Sequence, residues 1–235
     1  MIFLLKYIRH IILTAAILFV VIFYLITISK FANLNRAYAE LGQNFAIIAA
    51  FLIYVSLLIT PIYFVFPRFP FKPVLIKARR ALGVSAFIFA SIHVFLEFFK
   101  IFGGFANLKY LQGPYFYAFL FGAIALLILA VMAVTSFNYA VKKMSKYWKI
   151  VHRFVYLAGS LIVFHAFIIG SDFSSIFDPE SWMYIVALIF LLVLESLRFD
   201  AWVVRKYPSV KSKLIASILI LLTILSVLAL FIFEK

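Results

Sequence analysis

Four histidines, His10, His93, His152 and His165, carry most of the chemistry open to this chain. No phosphate-binding glycine loop, Ser/His/Asp set or carboxylate pair accompanies them, and there is no cysteine. The missing thiols exclude disulfides, zinc fingers, thiolate haem ligation, iron–sulfur clusters and a cysteine nucleophile. His93 follows Arg80 by 13 residues, and His165 follows Arg153 by 12. On helices rising about 1.5 Å per residue, both rings then lie roughly 18–20 Å in from a basic edge, level with each other. Two level imidazoles suit one iron with two axial nitrogens, so a b-type haem is the reading that this pair favours. A zinc site would want a third or fourth ligand, and Glu97, one turn beyond His93, is the nearby carboxylate. For either histidine alone, a hydrogen bond to a neighbouring helix is the plain alternative.

His152 lies 13 residues before His165, about 19.5 Å along an ideal helix, which suits two stacked redox sites. At 100° per residue the two rings are misaligned by about 140°. They share a groove only if the helix deviates, and Gly159 is the expected place. A second haem at that level would need a partner. On the third helix the matching depth holds Arg80, which with Lys149 and Arg153 could bind haem propionates or a flavin phosphate. His10, on the first helix, is the remaining histidine at that depth, and an interfacial surface role suits it better than ligation.

The elements that must position these residues are membrane spans. Of the 235 residues 67% are hydrophobic and 13% charged, with a mean hydropathy of +1.17. Soluble chains are nearer half apolar and a quarter charged. Runs without Asp, Glu, Lys or Arg cover 11–29, 41–67, 81–96, 110–141, 154–171, 181–194 and 214–233. A span needs about 20 apolar residues, so the shorter runs must borrow flanking residues that snorkel. The fold expected is all-α, a polytopic transmembrane helical bundle of about seven helices, with no β-barrel alternation. The whole of 1–235 is read as one transmembrane domain, with 10–30 and 211–233 as flanking helices around a core at 41–206. The first helix is read as a retained span, not a cleaved leader.

The formal charge of +14 mimics a nucleic-acid signature, but the basic residues sit between apolar segments and read as topology signals. A cytoplasmic N-terminus puts 17 of the 22 Lys and Arg on the inside, and six of the eight acids outside. The localisation expected is the cell (inner) membrane, multi-pass.

At the histidines the sequence resembles a known family. Lys77-Ala78-Arg79-Arg80-Ala81-Leu82-Gly83 leading to His93 resembles the third-helix entry of ferric-reductase-like transmembrane domains, and within them the MsrQ/YedZ haem-binding membrane subunits of the methionine sulfoxide reductase system. Leu58-Ile59-Thr60-Pro61, Thr135-Ser136, Trp148, Val151-His152, Phe154-Val155-Tyr156-Leu157 and His165 extend the likeness over about 41–206. The resemblance implies a haem b oxidoreductase subunit, with one or two haems and FMN or a quinone as further cofactors. It implies electron transfer from a cytosolic flavin reductase or quinone to an extracytoplasmic reductase. The histidines matching His93, His152 and His165 are the implied iron ligands, with Arg80 and Arg153 as cofactor contacts. The seventh helix, 214–233, departs from the family pattern, and no flavin or nicotinamide domain is appended. Two other readings stand beside this one: a ferric or cupric metalloreductase-like cytochrome, and a non-haem proton or ion transporter using the same histidines and Glu97.

Overall fold

A computed structural model describes residues 2–170, 179–207 and 218. Among them the chain is helical throughout: α1 Ile2–Lys30, α2 Leu34–Val65, α3 Lys72–Val94, α4 Pro114–Val134, α5 Asn138–Met144, α6 Lys146–Arg153, α7 Val155–Ile169 and α8 Pro179–Lys206. A π-helical turn, Phe95–Ile101, prolongs α3, and a 3-10 helix, Gly104–Tyr110, leads towards α4. Six helical segments of the described residues are long and apolar enough to cross a membrane. They account for the first six of the expected spans. The seventh, 214–233, lies outside the described residues except for helical Ile218.

Large apolar side chains point outward along these helices, among them Leu25, Phe51, Leu127 and Val134, each at least 60% exposed. Soluble surfaces do not display apolar side chains so continuously. Lipid is the solvent that makes the arrangement favourable, and the chain is a multi-pass membrane protein.

Two compact units make up the chain: Met1–Ser56 with Pro73–Ile169, and Leu57–Lys72 with Gly170–Lys235. The histidines and the arginines beside them all belong to the first. There α1, α2 and α3 share a core of Ala16, Leu41, Phe45, Ala49, Phe89 and Leu96. Phe45 meets Phe23 and Phe89 at centroid distances of 5.8 and 5.6 Å, within the range where aromatic pairs attract beyond simple burial. Arg79 and Ser56 join α3 to α2 reciprocally, with Arg79 Nε donating to the Ser56 carbonyl at 2.9 Å and Ser56 Oγ to the Arg79 carbonyl at 3.4 Å. α4 packs along α7, and the buried positions of α4, Ala118, Ala125 and Leu129, recur at intervals that keep them on one face. Small residues on such a face let two backbones approach closely, which replaces the hydrophobic drive that lipid removes.

In the second unit Tyr63 donates its hydroxyl to the Pro70 carbonyl, and the Lys72 ammonium lies 5.7 Å over the Tyr63 ring. α8 runs past the charge-free stretch that predicted it, because Glu195 and Arg198 pair at 2.7 Å one turn apart and so reduce the cost of carrying charge on a span.

Two local expectations need correction. The stretch 142–153, which lies between two charge-free runs and reads from its lysines as a basic loop, is helical apart from Ser145, as the end of α5 and the whole of α6. The deviation expected near Gly159 falls instead at Phe154, between α6 and α7. Gly159 sits inside α7, where its lack of a side chain causes no break.

Candidate functional site

His93 is at the last turn of α3 and His165 in the last half of α7. Their ring centroids are 6.3 Å apart and the ring planes cross at 82°. Each ring is tied to the backbone of a different helix. His93 Nδ1–H donates to the Gly42 carbonyl of α2 at 2.9 Å, and His165 Nδ1–H to the Ala118 carbonyl of α4 at 2.8 Å. A carbonyl only accepts, so both neutral rings carry their proton on Nδ1 and keep a lone pair on Nε2. Metal-ligating histidines are oriented in this way, the second nitrogen donating to a carbonyl or carboxylate.

The spacing is also right for one metal ion between the rings. A ring nitrogen sits about 1.1 Å from its centroid, so two opposed imidazoles bonded to one ion at about 2 Å place their centroids about 6 Å apart. Among the described residues no group of three or more His, Asp or Glu could hold a metal ion.

Two glycines make room. A Cβ on Gly122 would stand 2.8 Å from His165 Nδ1 and 2.9 Å from its Cε1, and Gly122 lies one turn after Ala118, whose carbonyl holds the same ring. A Cβ on Gly42 would stand 2.1 Å from Glu97 Oε1. Gly42 therefore receives His93 on its carbonyl and Glu97 against its Cα. Glu97 itself lies in the π-helical turn, a feature that recurs at functional positions.

A second cluster lies at the opposite end of α4. Thr135 closes α4 there, 13 residues beyond Gly122, or about 20 Å along the axis. The His152 ring stacks on Trp148 with centroids 4.0 Å apart and planes at 27°. The Arg80 guanidinium covers the same indole at 5.3 Å, and Trp148 Nε1 donates to the Thr135 carbonyl at 3.0 Å. His152 Nε2 lies 3.2 Å from Thr135 Oγ1. That hydroxyl gives its own hydrogen to the Val131 carbonyl at 2.8 Å, so Nε2–H of His152 is the donor. The i, i+4 spacing of Trp148 and His152 on α6 puts them on one face, and the break at Phe154 frees that face from the register of α7.

Of the residues singled out in the sequence, His93 and His165 come together, and His152 comes together with Arg80 through Trp148. His10 and Arg153 are exposed; Arg153 makes no hydrogen bond or ion pair among the described residues. Arg9, beside His10, is the residue that reasoning from depth missed: its Nη1 donates to Asn138 Oδ1 at 3.0 Å, the oxygen that also accepts from Arg80 Nη1 at 3.2 Å. Adjacent helical residues differ by about 100° around the axis, so depth alone cannot choose between positions 9 and 10. The anchors Gly42, Ala118 and Gly122 were missed too; glycines within apolar runs were the available signal.

The chain is similar in sequence to known membrane proteins. Residues 45–163 match the family described as ferric reductase like transmembrane component. The chain is 30% identical over 155 residues to the protein-methionine-sulfoxide reductase heme-binding subunit MsrQ of Pectobacterium atrosepticum, covering 64% of this chain and 72% of that protein. It is 30% identical over 156 residues to the MsrQ of Cronobacter sakazakii, with the same coverage of both chains, and 30% identical over 152 residues to that of Salmonella enteritidis, covering 63% and 70%. No solved structure matches the chain. The family match covers just over half the chain and spans His93 and His152, and the chain belongs to the ferric-reductase-like transmembrane family.

Proposed function

We propose that the chain is the haem b-bearing membrane subunit of an electron-transfer system, linking a cytosolic flavoprotein or quinone to an extracytoplasmic acceptor. The observation that supports this reading is the His93–His165 pair, with both Nδ1 atoms committed to backbone carbonyls and ring centroids 6.3 Å apart. Bound there, a b-type haem would supply a one-electron carrier. The chain's own contribution is positional. Gly42 and Ala118 fix the tautomer and rotation of the two ligands, and Gly122 admits the His165 ring.

The relatives named heme-binding subunits of a methionine sulfoxide reductase support a periplasmic reductase of that kind as the acceptor. A ferric or cupric ion is the acceptor under the second reading, which the family description favours. In either case the basic segments are read as facing the cytosol, from the Lys and Arg distribution. The His152–Trp148–Arg80 stack then lies on the side where electrons enter. A transporter with these histidines would be colourless. The test is a reduced-minus-oxidised spectrum of the purified chain with pyridine haemochrome stoichiometry. One haem b per chain is expected, and a colourless protein after expression with ample haem overturns the proposal.

A further inference from the structure

We propose that Arg9, Arg80 and Asn138 form a binding site for a phosphate group at the membrane surface. This inference does not depend on the haem. Arg9 comes from the first half of α1, Arg80 from the first half of α3, and both reach the segment just after α4. Asn138 Oδ1 accepts from both guanidiniums, at 3.0 Å from Arg9 Nη1 and 3.2 Å from Arg80 Nη1. The Ser136 carbonyl lies 3.4 Å from Arg9 Nη2 and 3.5 Å from Arg80 Nη1. These partners are all neutral oxygens.

Charge is what they leave unresolved. The carbonyl end of a helix is equivalent to about half a negative charge, which cannot balance two guanidiniums sharing one amide oxygen. Arg9 Nε is buried and has no hydrogen-bond partner among the described residues, so the cluster also carries an unmet donor. With its oxygen occupied twice, the Asn138 amide nitrogen is left with two hydrogens to offer on an exposed side chain. Anything that completes the cluster must be an anion with several acceptor oxygens. A phosphate has them, and the guanidinium fork matches its geometry.

Depth points to the same chemistry. α4 has 21 residues, about 30 Å of helix, which is the thickness of a bilayer's hydrocarbon core. The segment at Ser136–Asn138, directly beyond its end, therefore lies at the level of the headgroups. Trp148, with its indole N–H on the Thr135 carbonyl, is the amphipathic aromatic expected at that level. The phosphate can belong to an anionic phospholipid or to a soluble phosphate ester that docks from the aqueous side.

The experiment uses the full chain in neutral detergent and reads thermal unfolding during titration with phosphatidylglycerol or, separately, with inorganic phosphate against chloride of equal ionic strength. Saturable stabilisation by phosphatidylglycerol alone identifies the lipid as source. Stabilisation by inorganic phosphate as well identifies a soluble phosphate ester. Arg9→Gln and Arg80→Gln should each raise the half-saturating concentration by about tenfold, one lost charge-assisted contact. Arg36→Gln, on α2 away from these contacts, should not change it. Asn138→Ala, at an exposed position, keeps the test open if an arginine variant fails to fold, and it should weaken binding several-fold. No saturable shift with either probe, or the same shift in wild type and all three site variants, overturns the proposal.

Discussion

The ring centroids of His93 and His165 lie 6.3 Å apart with their planes at 82°, yet neither ring is hydrogen-bonded to the other's helix. α2 holds the first through the Gly42 carbonyl, and α4 holds the second through that of Ala118. Four helices thus converge on one pair of rings, each restrained by a hydrogen bond to a separate backbone. Restrained groups lose less freedom when they bind a ligand. The same restraint fixes the angle between the two imidazole planes.

The two glycines should tolerate alanine unequally. At Gly42 the added methyl meets the far end of Glu97, a flexible side chain that can swing aside. At Gly122 it meets the imidazole of His165, which cannot move without breaking its bond to Ala118. Gly122→Ala should therefore cost about 1–3 kcal/mol, the usual range for overpacking, and sharply reduce haem retention. Gly42→Ala should be milder on both counts. Thermal unfolding and haem content of the two purified variants check the order.

Electron entry should depend on salt. Lys142 and Lys143 on α5 and Lys146 and Lys149 on α6 are exposed and would offer a basic surface to a cytosolic donor, and steering of an acidic partner weakens as screening shortens the reach of charge. Stopped-flow reduction by a cytosolic flavin reductase should slow as ionic strength rises. A rate independent of salt would leave these lysines with topology alone.

His152→Ala should separate entry from the histidine pair. It removes the ring stacked on Trp148 and the bond to Thr135, both about 20 Å along α4 from Gly122. The spectrum should stay low-spin while reduction by the cytosolic donor slows. Small membrane-permeant reductants should act at the wild-type rate. Equal slowing with both would assign His152 to the fold instead.

Ser85 offers a test of the core. Its hydroxyl is buried and has no partner among the described residues, a state that costs about 1–3 kcal/mol relative to a satisfied or absent group. Ser85→Ala should be neutral or stabilising by about 1 kcal/mol on that account. A clear loss of stability would show that the hydroxyl serves a bound group.

Much of this was legible because hydropathy and helical rise are linear along a chain. Six spans and the level placement of His93 and His165 follow from counting. What counting missed depends on rotation and on backbone atoms. Every residue has a carbonyl, so nothing in the letters marks those of Gly42 and Ala118 as acceptors. The break at Phe154 carries no Gly or Pro, whereas Gly159 does carry the usual signal and lies in unbroken helix. Likewise His10 drew notice by residue type, but Arg9, next to it, faces the cluster. The extent of α8 depended on the Glu195–Arg198 pair, which a search for charge-free runs discards.

The most direct measurement is electron paramagnetic resonance of the oxidised protein, alone and with His93→Ala, His165→Ala and His152→Ala. The wild type should give a low-spin ferric haem signal of the strongly anisotropic kind that nearly perpendicular axial imidazoles produce. Either His93→Ala or His165→Ala should abolish it or turn it high-spin, and His152→Ala should keep it. A low-spin signal that survives in His93→Ala or His165→Ala, or one lost in His152→Ala alone, would contradict the assignment of this pair as the axial ligands.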